Sequence, residues 1–148
     1  MNQTILNNIN SVVLPEDTLY FLGDFAFGDK SEIPKLRSQI KCQNIIGLKG
    51  NHDSVLWKRY RDIYSESYLY YEFRHLGTLF CLFHYPINEW NEINQGSIML
   101  HGHTHRFNSS PLRIMDVGVD PNNFLPVSID QVVAIMNTRN IGNHHEHT

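Results

Sequence analysis

Gly47-Leu48-Lys49-Gly50-Asn51-His52-Asp53 is the stretch on which the reading of this chain turns. Ile45, Ile46 and Leu48 form an apolar run of the kind that makes a buried strand, and Gly50 allows a sharp turn at its end. Asn51, His52 and Asp53 then bring an amide, an imidazole and a carboxylate to the mouth of a sheet. Two other stretches have the same design. Leu22-Gly23-Asp24 closes one hydrophobic run with a carboxylate, and Leu100-His101-Gly102-His103-Thr104-His105 closes another with imidazoles. Hard and borderline ligands at several strand ends point to one metal cluster assembled from distant parts of the chain.

The 148 residues suit a single domain over 1–138, with a polar, His-containing and disordered tail expected over 139–148. A formal charge of -3 argues against broad nucleic-acid binding and leaves open a small phosphorylated substrate or a local nucleic-acid contact made through metals. Cys42 and Cys81 read as two reduced core thiols, which fits a cytoplasmic location. No apolar run approaches the ~20 residues that span a bilayer, so no membrane association is expected.

In chain order, Ile5, Ile9, Val12 and Val13 recur at helical spacing, and Pro15 ends that helix. Thr18 to Leu22 is the first strand and delivers Asp24. The aromatic loop Phe25 to Asp29 is expected to wall a pocket, and Ser31 to cap a helix over 32–40. Strand 44–49 is followed by a helix from Ser54 to Ile63, and this alternation predicts an α/β fold. Tyr68 to Phe73 and Thr78 to Phe83 read as a hairpin whose second strand ends at His84. Short strands over 97–100 and 112–117 follow. Ser128 and Gln131 have capping-box spacing and open a last helix that runs to Asn137.

Taken singly, each candidate has an ordinary explanation. Asp24 and Asn51 are common turn residues, and a lone His84 is more often packed in a core than bound to a metal. The run from His101 to His105 is harder to set aside, because alternate residues of an extended segment share a side. His103 and His105 would then face together, and His101 with them if the segment stays extended. The ordered combination, each part behind an apolar run, is far more specific than any member of it.

That combination resembles the calcineurin-like metallophosphoesterases. Leu22-Gly23-Asp24-Phe25, Lys49-Gly50-Asn51-His52-Asp53, Phe83-His84-Tyr85-Pro86 and Gly102-His103-Thr104-His105 match the signature blocks, and Met115 to Asp120 with Pro126-Val127-Ser128 look like the end of its small phage and bacterial branch. The resemblance implies a two-sheet β-sandwich flanked by helices, a four-layer α-β-β-α arrangement. It also implies two divalent metal ions, with Mn²⁺ expected and Fe, Ni²⁺ or Zn²⁺ compatible. Asp24 would bridge them, Asn51, His84 and His103 would complete one site, and His105 would belong to the other. His52 would protonate the leaving oxygen, with Asp53 near enough to orient it, and a metal-held hydroxide would attack a phosphodiester.

The same resemblance exposes a gap. The family opens with a strand ending in Asp-any-His, and no such stretch occurs here. The expectation is therefore a truncated chain with impaired activity, holding one metal better than two. An open slot in a sheet would invite self-association or a partner strand. The competing expectation is a catalytically inactive relic that binds one metal and serves as an interaction or structural module.

Overall fold

The computed structural model describes residues 2–25, 29–104, 111–119, 122 and 124–141. It is a mixed α/β arrangement of two sheets and four α-helices among the described residues. Helix α1 spans Asn2–Val12. Strand β1, Thr18–Phe21, lies parallel to β2, Asn44–Leu48, which in turn lies parallel to β3, Glu66–Tyr68. Between β1 and β2 come a 3-10 turn over Lys30–Glu32 and helix α2, Ile33–Ser38. Helix α3, Ser54–Arg59, follows β2 and runs into a further 3-10 turn at Arg61–Ile63.

The second sheet begins with a hairpin of β4, Tyr70–His75, and β5, Thr78–Phe83. Strands β6, Ile98–His101, and β7, Ile114–Asp116, extend it in parallel, giving the order β4-β5-β6-β7. Helix α4, Ile129–Met136, closes the described chain.

Alternation along the strands sorts side chains into three cores. Ile45 of β2 packs with Leu6 and Ile9 of α1, Ile33 of α2 and Leu56 of α3, so three helices cover one face of the first sheet. Leu48 turns the other way and joins Phe80, Leu82, Leu100 and Met115 of the second sheet, with Val132 and Met136 of α4. The two sheets thus share a core. Leu79, Cys81, Met99 and Ile114 fill the opposite face of the second sheet against Trp90 and Ile93. Because β5 and β6 are buried on both faces, they read in sequence as unbroken apolar runs.

Several expected boundaries shift. Asp29, not Ser31, caps the turn before α2: its carboxylate accepts the Ser31 N–H at 3.0 Å, and Ser31 is the residue capped. The helix expected from Ser54 to Ile63 breaks at Tyr60, leaving α3 two turns long. Tyr68 belongs to β3 in the first sheet, so the stretch read as one strand supplies both sheets. The hairpin turn is Leu76-Gly77, with both residues at positive φ, which the right-handed twist of the strands favours. Residues 26–28 of the aromatic loop, the 105–110 segment and the tail from 142 lie outside the described residues.

Among the described residues β1 pairs with β2 alone. β1 lines a cleft of about 1510 Å³, together with Ile9 of α1, Phe73 of β4 and Val132 of α4, and Asp24, His84 and His103 belong to the same lining. No helix of the described residues is long and apolar enough to cross a membrane.

Candidate metal centre

Four strand ends meet at the mouth of this cleft. β1 delivers Asp24, β2 delivers Asn51, β5 delivers His84 and β6 delivers His103. His84 is fully buried, and its Nδ1 lies 2.6 Å from the carbonyl oxygen of Leu22. A carbonyl only accepts, so Nδ1 carries a proton and, in the neutral ring, Nε2 is left as a lone pair. That lone pair lies 2.9 Å from Asn51 Oδ1 and 3.5 Å from Asp24 Oδ2. His103 Nδ1 approaches the same Asn51 oxygen at 3.4 Å, and the two imidazole centroids are 5.2 Å apart.

Acceptors therefore converge on one point. A carboxylate, an amide oxygen and an imidazole lone pair repel one another unless a proton or a cation lies among them. The donor set, two nitrogens and two oxygens, suits a borderline divalent ion. The residues present fit such an ion. Among the described residues no group of three or more His, Cys, Asp or Glu stands at metal-holding separation, and the cluster's fourth member is the amide of Asn51.

The loops around the cluster are held by the backbone. Gly50 N–H and Asp24 N–H donate to Asp53 Oδ2 at 2.8 and 2.6 Å, and Phe25 N–H donates to Oδ1 at 3.2 Å. The buried Asp53 carboxylate thus fastens the β2 turn to the β1 turn. Asp53 thereby positions the segment carrying Asp24, a role the sequence reading did not assign it. His52 is exposed. Its backbone N–H donates to Asp24 Oδ1 at 2.9 Å, and its ring Nε2 lies 3.2 Å from Asn51 Nδ2. Gly102 N–H donates to the carbonyl of His84 at 3.0 Å, which ties β6 to β5 beside both imidazoles.

Asp24 and His103 have φ of 56° and 71°, two of five non-glycine residues at positive φ among those described. Left-handed backbone costs of order 1–3 kcal/mol per residue and collects at functional sites. The turn at His103 also decides the fate of His101. The segment does not stay extended, and His101 is buried with its Nδ1 2.8 Å from the Gly102 carbonyl. His105 lies outside the described residues.

Sequence reasoning passed over two supports. Asp116, buried at the end of β7, accepts hydrogen bonds from Thr104 Oγ1 and, at 2.8 Å, from Gly118 N–H, so it anchors the loop behind His103. Its signal was a carboxylate ending an apolar run, as at Asp24. Tyr85 packs its ring on both imidazoles, with centroids 4.8 Å from His84 and 4.7 Å from His103.

No protein-family model matches the chain. It is 30% identical over 145 residues to the uncharacterized protein MJ1445 of Methanocaldococcus jannaschii, a match covering 92% of this chain and 75% of that one. It also superposes on the crystal structure of the protein of unknown function AQ665 from Aquifex aeolicus. That similarity has a TM-score of 0.72 at 26% identity and covers 90% of this chain and 84% of the other.

Proposed function

The chain belongs to the same protein family as the uncharacterized Methanocaldococcus jannaschii protein, and from that premise we propose that it is a metal-dependent phosphoesterase acting on small phosphodiesters. The observation that carries this reading is the meeting of the Asp24, Asn51 and His84 acceptors at 2.9 and 3.5 Å, with His103 at 3.4 Å from the same amide oxygen. Asp24, Asn51, His84 and His103 would hold a divalent ion, Mn²⁺ by expectation, and Fe, Ni²⁺ or Zn²⁺ suit the same donors. When bound, the ion supplies positive charge that draws electron density from the phosphoryl group and acidifies the attacking water.

The chain's own residues do the rest. The Leu22 carbonyl fixes the tautomer of His84, so that Nε2 faces the cluster. Asp53 keeps the turns carrying Asp24 and Asn51 in register. His52, exposed at the rim, is placed in this reading to give its proton to the leaving oxygen. His105 remains the proposed ligand of a second ion. The four-layer arrangement belongs to the same proposal. It draws support from the helices covering the first sheet and from the core common to the two sheets.

The cleft along β1 favours a second reading, an interaction module that binds one metal and takes an extended segment from a partner or a second copy against the β1 edge that pairs with no strand among the described residues. Hydrolysis of an aryl phosphodiester with added Mn²⁺ separates the two. Turnover lost in His52→Ala and Asn51→Ala supports the enzyme. Zero turnover in all three proteins, with Mn²⁺ still bound by the unaltered chain, supports the module.

A further inference from the structure

Tyr85 stands immediately after His84 and leaves 37% of its surface in water beside the cluster. Its ring meets His84 at 79° and His103 at 62°, so the imidazoles pack against it edge to face. Phe83 lies 5.7 Å from it, and Phe83 meets Tyr70 across the β4–β5 pair at 6.3 Å. Tyr70 is also exposed, at 39%. Three rings, Tyr85, Phe83 and Tyr70, thus form a chain of contacts that begins at the acceptor cluster.

The Tyr70 hydroxyl donates to Glu72 at 2.6 Å, whereas the Tyr85 hydroxyl has no hydrogen-bond partner among the described residues. A tyrosine serving only as a core lid would be buried, and one serving as a hydrogen-bonding strut would be tied down. Tyr85 is neither. It is held by ring packing alone and keeps part of its surface open within one ring's reach of His103. Aromatic rings so exposed beside a phosphate site stack planar bases, and every base offers a π-face. The net charge of -3 disfavours a long polyanion, so the fitting ligand is a short one.

We propose that Tyr85, backed by Phe83 and Tyr70, is a specificity-determining residue that stacks the base of a nucleoside phosphate whose phosphate sits at the Asp24–Asn51–His84–His103 cluster. This rests on the reading of that cluster as a phosphate site.

The test compares two ligands that differ only in the base, adenosine 5′-monophosphate and ribose 5-phosphate, by calorimetric titration of the full chain in Mn²⁺. The unaltered protein is expected to bind the nucleotide roughly tenfold or more tightly, the fold-change of one stacking contact. Tyr85→Ala brings the two dissociation constants together, and Tyr85→Phe keeps them apart because the ring is retained. Equal constants in the unaltered protein, no measurable nucleotide binding, or a ratio that survives Tyr85→Ala would each overturn the proposal. Failure here is separable from failure of the phosphoesterase reading. A Tyr85-dependent ratio without turnover of an aryl phosphodiester defeats only hydrolysis, and turnover with a flat ratio defeats only the aromatic ledge.

Discussion

A methyl group is enough to test the convergence at Gly23. Its φ is 103°, and a Cβ there would stand 2.3 Å from His84 Nδ1 and 2.7 Å from Gly50 Cα. Gly50 is confined in turn, since its own Cβ would meet Asp24 Oδ1 at 2.3 Å. Gly23→Ala is therefore expected to destabilise the fold by about 1–3 kcal/mol and to weaken Mn²⁺ binding at least tenfold, read by urea unfolding and metal titration. Tyr64 gives the opposite kind of prediction. Its hydroxyl is buried with no hydrogen-bond partner among the described residues, and burial, with the charges of Asp53 and Asp24, pushes its pKa well above 10.0. A folded pKa above the unfolded one leaves stability intact below pH 10 and removes it as the pH climbs further. Tyr64→Phe is expected to be neutral or slightly stabilising at pH 7 and to flatten the loss of stability between pH 9 and 11 in urea titrations.

At the scale of elements, α4 was the most legible part of the chain. Ser128 Oγ accepts the Gln131 N–H at 3.1 Å and Gln131 Oε1 accepts the Ser128 N–H at 2.9 Å, the reciprocal pair that the spacing of the two residues announces. Ser128→Ala is expected to cost about 1 kcal/mol in thermal or urea unfolding. The strands β5 and β6 were legible for a related reason, since burial on both faces leaves an uninterrupted apolar signature. Phe80, fully buried and stacked on Phe73 at 5.0 Å, anchors this layer, and Phe80→Ala is expected to cost about 3–5 kcal/mol. β3 was not legible. Glu66–Tyr68 runs almost without a break into β4, and only its parallel pairing with Ile46, Gly47 and Leu48 of β2 assigns it to the other sheet.

For the whole molecule the proposed metal and the cleft have to be considered together. An ion that binds only the folded chain at 100 times its dissociation constant adds about 2.7 kcal/mol of stability. Mn²⁺ is therefore expected to raise the melting temperature of the unaltered protein and to leave that of Asn51→Ala unmoved. The edge of β1 that pairs with no strand among the described residues belongs to the same strand that delivers Asp24.

By itself the sequence determined the alternation of helices and strands, the apolar runs of the core and the polar residues at the strand ends, because local periodicity and turn chemistry are written in adjacent residues. It also singled out Asp24, Asn51, His84 and His103, which were recognisable as strand-end residues. That Asn51 sits between two imidazoles, that Asp53 grips the backbone of two turns, that His101 turns into the core and that Tyr85 caps the imidazoles were decided only in three dimensions. Those facts depend on left-handed turns at Asp24 and His103 and on contacts between segments tens of residues apart, where no local pattern carries the information.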